Sequence, residues 1–125
     1  MEALPTSEKR NLDPKKWGPL YWSVIHTYAS KFPEFPTLED QLNAKKFYTD
    51  FIDKLPCKVC GDSYAIFIKR MPIDTYLDTR DSLMLWTYNM HCTVNEKLRM
   101  HGQPKKPDPT WNEFCRKYNP NCYPN

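Results

Sequence analysis

The 125-residue sequence holds no apolar stretch near the roughly 18 residues that would span a bilayer, and its first ten residues, MEALPTSEKR, lack the apolar core of a secretory signal. A soluble protein without a Sec signal, not bound to a membrane, is expected. Like charges never run five or six together. The 18 basic and 15 acidic residues are interspersed, and the formal charge of +3 gives nucleic-acid binding no footing. Strand alternation, internal repeats and low-complexity tracts are also lacking, which favours a helical bundle over any βαβ design. Cysteines are few and unevenly spaced. Cys57, Cys60, Cys92, Cys115 and Cys122 do not make the framework of a small secreted scaffold, and an odd count leaves at least one thiol unpaired.

What is present is a hydrophobic content of 40%, enough for one domain with one core that buries roughly two thirds of its unfolded surface. Four Trp, eight Tyr and six Phe suit either a tight core or a flat ligand, with core packing the default for most of them.

Five helices are expected. Asp13 before Pro14 is a start signal, with Pro19 able to reset that start by one turn, and Trp22, Ile25, His26 and Ala29 then form an inward stripe. A second helix is predicted over Leu38 to Lys54, with Phe47, Phe51 and Leu55 recurring beside Tyr48 and Ile52. Pro56 interrupts, and a third helix carries Cys57 and Cys60 in its first turn and Tyr64, Phe67 and Ile68 beyond. The fourth shows Leu83, Trp86, Met90, Val94 and Leu98 on one face and closes at Gly102. A last short helix, TWNEFCRKY, is expected to be capped by Asp108 or Thr110.

The stretch LPCKVC poses the chemical question. For zinc, two further ligands must come from His26, His91, His101 or the other cysteines, and no second CxxC and no HxxxH exists. For a thioredoxin-like reductase the motif should follow a strand, and FYTDFIDKLP reads as helical. In the third reading, thiols in the first turn of a helix feel its positive end, which favours thiolate and disulfide exchange. A dithiol that passes electrons to oxygen then needs a cofactor, because side chains cannot take up an electron pair and hand it on. Two helical faces could hold a flat one. Gly18, Trp22 and His26 lie at i, i+4 and i+8, and His91, Asn95 and Leu98 at i, i+4 and i+7 beside Trp86. Either face alone is more often core with a satisfied histidine; the two together around one CxxC are harder to dismiss.

WGPLYWSVIHTYA, FIDKLPCKVC, LWTYNMHCTVNEKL and WNEFCRKY, in that order, resemble the Erv/ALR FAD-linked sulfhydryl oxidases over about Trp17 to Tyr118. The short chain and the WGPxYW opening look most like members encoded by large DNA viruses. The resemblance implies an all-α fold, a four-helix bundle plus a short fifth helix with FAD at the mouth of the bundle, usually as a homodimer. It implies residues 1–11 as a flexible N-terminal segment, 12–119 as the oxidase domain and 120–125 as a tail with Cys122. Electrons would pass from protein dithiol substrates to Cys57, the interchange thiol, then to Cys60 beside the flavin, and on to molecular oxygen to give hydrogen peroxide. Cofactor contacts carried over are Gly18, Trp22, His26, Trp86, His91, Asn95, Lys97, Lys117 and Tyr118, with no metal. Lysines 97 and 117 could neutralise the pyrophosphate, their plain alternative being solvated surface.

The chain departs from the family at Cys92, where many members have Asn, and at Pro19 and Lys31 on the first helix. Tyr88 stands where cellular members place a structural cysteine, so that disulfide cannot form. The remaining thiols stay open. Cys115 and Cys122 could form a fold-back staple, which is preferred, or Cys122 could shuttle electrons to Cys57; Cys92 would be the odd, buried thiol, and a Cys92–Cys115 bond is the runner-up. A viral member would work in the cytoplasm at virus assembly sites or in the virion, a cellular one more often in the mitochondrial intermembrane space. The competing reading is a zinc-stabilised helical interaction module without turnover.

Overall fold

The computed structural model describes residues 14–55, 58–100, 102 and 107–118, without the side chains of residues 14–17, 52, 58 and 59. All regular structure among the described residues is helical. The order is α1 (Pro14–Ser30), α2 (Leu38–Asp50), α3 (Lys58–Arg70), α4 (Arg80–Met100) and α5 (Trp111–Tyr118), with single 3-10 turns at Phe51–Lys54 and Ile73–Tyr76. Four helices and a short fifth form the expected bundle. None of the described helices is long and apolar enough to cross a membrane.

Two boundaries differ from expectation. Pro19 lies inside α1 and does not reset its start. So near the N-terminus its missing N–H removes a single bond, to the Lys15 carbonyl, and its fixed φ already suits the helix. Asp13, the expected start signal, lies outside the described residues. The second helix stops at Asp50 and tightens into the 3-10 turn, four residues short of Lys54. Leu55 explains this: it precedes Pro56, whose ring disfavours helical backbone there, and it is extended at φ −74°, ψ 130°.

The helix ends are set locally. Thr37 caps α2 in a reciprocal box, taking the Asp40 N–H at 3.0 Å while its own N–H reaches Asp40 Oδ2 at 2.9 Å. Thr110 does the same for α5 with Glu113, so of the two expected caps it is Thr110 that serves. Gly102, at φ 79°, ends α4 in the left-handed conformation that glycine adopts without penalty, and donates to the Arg99 carbonyl at 3.0 Å.

The core joins Ile25 and Ala29 of α1 to Tyr48, Phe51, Tyr64, Phe67, Leu83, Trp86 and Met90, all buried, whereas Val94 and Leu98 are half-buried. Two hydroxyls cross it. The Tyr64 hydroxyl, on α3, donates to the Tyr48 carbonyl at 2.8 Å, and the Tyr48 hydroxyl donates to the Ile25 carbonyl of α1 at 2.7 Å. Burial raises both phenols far above their ordinary range, so both remain protonated donors. This ladder fixes α3, which carries Cys60, relative to the turn of α1 that carries His26. At the other end Arg80 Nε donates to the Phe32 carbonyl at 2.6 Å, tying the start of α4 to the chain leaving α1.

Candidate functional site

Trp22 and His26, four apart, share one face of α1, and α1 packs against α4 so that His91 meets them. The Trp22 and His91 rings stack at 3.9 Å and 9°, and the Trp22 and His26 rings at 5.6 Å and 15°. His26 Nε2 lies 2.8 Å from His91 Nδ1. Behind them α5 supplies Phe114, T-shaped to His26 at 4.7 Å, and Tyr118 at 5.0 Å. Trp22, His91 and Tyr118 remain half-buried, so the cluster opens on one side.

His26 is wholly buried, and its Nδ1 has no hydrogen-bond partner among the described residues. Desolvation, with smaller contributions from His91 and the Lys117 charge, lowers its pKa to about 3, so the ring is neutral at physiological pH.

The other expected contacts divide. Tyr118 joins the cluster, and Lys117 Nζ stands 5.3 Å from the Tyr118 ring centroid. Gly18 is half-buried on the Trp22 face, and a Cβ built there meets nothing within 4 Å, so space lies beside it. Lys97 is exposed and donates to Ser63 Oγ at 2.5 Å, one turn beyond Cys60 on α3. Asn95 is engaged elsewhere, its Nδ2 donating to Asp108 Oδ1 at 2.9 Å.

Trp86 is a correction. It is fully buried, packs its ring on Tyr48 and Phe67, and donates Nε1–H to the Met71 carbonyl at 2.8 Å. Period put it on the inward face and the resemblance put it against the cofactor; with its polar tip satisfied inside the core, it is a packing residue.

Cys60 is half-buried in the first turn of α3, at the positive end of the helix. Cys57, Cys122 and His101 lie outside the described residues, as do residues 1–13 and 119–125 with the segment boundaries expected there. Cys115 is fully buried and disulfide-bonded, whereas Cys92 carries a free thiol, which overturns the Cys92–Cys115 alternative. Cys92 is half-buried and not enclosed as expected. Desolvation, then the charge of Asp108, pushes its thiol pKa up and leaves it a poor nucleophile.

Residues that the sequence did not assign to the cluster complete the surroundings. Asp108 takes hydrogen bonds from Asn95 and Arg99, the latter at 3.2 Å. Burial acts against its ionisation, but these bonds, the Arg99 charge and a smaller electrostatic interaction with His91 hold its carboxyl below the usual range. The Tyr88 hydroxyl donates to the Pro109 carbonyl at 2.7 Å and its ring meets Trp111 and Phe114, so a non-covalent clasp holds α5 where the family has a disulfide by resemblance. Asp108 and Phe114 carry no periodic signal pointing at the cluster; their position depends on the turn before α5. Among the described residues no three His, Cys, Asp or Glu side chains gather to hold a metal, so the zinc alternative gains no support there.

Fold and cluster together define a small all-helical domain with a half-open aromatic and imidazole stack and a thiol at a helix start. The chain belongs to the Erv1/Alr family, whose model matches residues 19–116. It is similar to a probable FAD-linked sulfhydryl oxidase of Acanthamoeba polyphaga mimivirus, 34% identical over 67% of this chain and 59% of the relative. It is also similar to an FAD-linked sulfhydryl oxidase of African swine fever virus, 28% identical over 82% and 79%. Among solved structures, the FAD-binding domain of Erv1 from Saccharomyces cerevisiae superimposes with a TM-score of 0.76 at 25% identity, covering 87% of this chain and 96% of that one.

The residues present fit an FAD. A half-open ring stack suits a flat aromatic group, the open space beside Gly18 lies on the same helix face, and the exposed ammonium groups of Lys97 and Lys117 are suited to phosphates.

Proposed function

We propose that the chain is an FAD-linked thiol oxidase that forms disulfides in protein substrates. The observation that carries this reading is the half-open Trp22–His91 stack backed by His26 and Tyr118, formed within a family match over residues 19–116. Trp22, His91, Lys117 and Tyr118 would hold the cofactor, with His26 buried behind them, Gly18 leaving room and Lys97 and Asn95 at its margin. The chemistry that bound FAD supplies is acceptance of an electron pair and its delivery to oxygen, with hydrogen peroxide as product.

The chain's own part begins at the thiols. In the oxidised state a substrate thiolate attacks Cys57 of the Cys57–Cys60 disulfide, forming a mixed disulfide and releasing the Cys60 thiolate. The second substrate thiolate then attacks the substrate sulfur, leaving the substrate oxidised by two electrons and the pair reduced. The helix start favours Cys60 as thiolate, hence as leaving group. His26, neutral in its apolar enclosure, keeps a positive charge from developing behind the stack.

Cys122 is the partner we assign to Cys115, as a staple for the C-terminus. A second copy of the chain would cover the exposed Phe35, Leu38 and Leu42, of which the last two share one face of α2. The viral relatives favour a viral setting, and cytoplasmic assembly sites or the virion are what the resemblance implies for one.

Purified protein should be yellow with flavin absorbance bands, and Cys60→Ser should lower oxygen uptake with dithiothreitol by orders of magnitude while FAD stays bound. A colourless protein carrying stoichiometric zinc would sink the reading, and unchanged turnover in the variant would refute the role of Cys60.

A further inference from the structure

A 2.8 Å approach of two ring nitrogens, His26 Nε2 and His91 Nδ1, requires one proton between them. If His26 Nε2–H donates, His26 Nδ1 is a bare lone pair and neutral His91 carries its proton on Nε2. If His91 Nδ1–H donates, the proton of neutral His26 must sit on Nδ1. These arrangements leave different groups stranded, because His26 Nδ1 is buried without a hydrogen-bond partner among the described residues. The first strands an acceptor; the second strands an N–H, which folded proteins tolerate less well. The rings around it, Phe114 at 4.7 Å and Tyr118 at 5.0 Å, offer at most an N–H···π contact, weaker than a hydrogen bond.

We propose that His26 is a positioning residue: by donating Nε2–H to His91 Nδ1 it holds His91 as the Nε2–H tautomer, so that half-buried His91 presents a hydrogen-bond donor to a group bound against Trp22. The partner's tautomer follows from the bond its other nitrogen makes. His26 stays neutral over the working pH range, so it does not gain a second proton that would blur the assignment. The flavin reading supplies only the identity of the bound group, a molecule rich in acceptors; the tautomer belongs to the chain.

Long-range proton–nitrogen NMR of the full chain with 15N-labelled histidine, before and after FAD is added, tests this directly. Both His26 and His91 are expected to carry their protons on Nε2. A proton on His91 Nδ1 in the FAD-loaded protein would overturn the proposal. His26→Gln places an amide N–H near the lost Nε2–H, whereas His26→Leu removes the donor. His91 should keep its tautomer in the Gln variant and become a mixture in the Leu variant. The dissociation constant for FAD should be about five- to ten-fold weaker in the Leu variant than in the Gln variant. Equal losses in the two would overturn the positioning role. If the Leu variant does not fold, the spectra of the unsubstituted and Gln proteins decide. Failure of the flavin reading looks different: the unsubstituted chain would not bind FAD, and its spectrum without FAD would still report the tautomer.

Discussion

Trp86 and Trp22 face each other across the logic of this molecule. Trp86 is enclosed completely, its ring held by Tyr48 and Phe67 and its N–H spent on the Met71 carbonyl. Trp22 is half-open and stacked on two imidazoles, one of them with an unpartnered buried nitrogen. In the first region every polar tip is answered within the core, as in Tyr64 to Tyr48 and Tyr48 to Ile25. The second leaves flat surface open and one buried imidazole nitrogen, His26 Nδ1, without a hydrogen-bond partner among the described residues. Enclosure and openness thus fall to different tryptophans on different helices.

The most severe way to break that division is Trp86→Ala, which should cost about 3–5 kcal/mol of stability in urea unfolding because a large enclosed ring leaves a cavity and an unanswered Met71 carbonyl. Trp22→Ala should do the reverse, weakening FAD binding by about ten-fold or more in a fluorescence titration while unfolding shifts by about 1–2 kcal/mol. If the two variants behaved alike, the contrast would fail.

Acid offers a graded test. The folded-state pKa of His26, about 3, lies below its ordinary 6.5, so the unfolded chain takes up a proton that the buried ring refuses. This contribution is therefore complete above about pH 6.5 and is lost as pH falls toward about 3, at about 1.4 kcal/mol per pH unit. Unfolding curves of His26→Gln should lack that part of the acid slope, and an unchanged slope would show that the imidazole is not the group responsible. The smallest effect belongs to neither region: Thr37→Ala removes the α2 cap and should cost about 1 kcal/mol in thermal or urea unfolding, with FAD affinity unchanged.

Much of the architecture was legible because the helices are amphipathic with punctuated ends. Pro14, Pro56, Gly102 and the Ile25–Ala29 and Leu83–Trp86–Met90 stripes announce starts, stops and inward faces. The Thr37–Asp40 box was not read from the sequence, since it lies outside the apolar period. Trp86 was placed inward by its period and against a cofactor by the resemblance, and the structure bears out the first, since hydrophobic spacing marks an inward side chain without saying whether a core or a ligand awaits it. Asn95 shows the same limit: its position on α4 is helical arithmetic, whereas its bond to Asp108 depends on how the chain returns thirteen residues later.

By itself the sequence determined five helices, their inward faces, the Cys60 thiol at a helix start and a family likeness carried by four separated motifs. Those properties are local, set by backbone preference and periodicity within each segment. Only the tertiary structure decided that His26 and His91, 65 positions apart, share one hydrogen bond, that Trp22 lies over it half-open, and that Trp86 is sealed away. Burial and partnership of a polar ring depend on what the other helices bring to it, and that is a property of packing that no single helix contains.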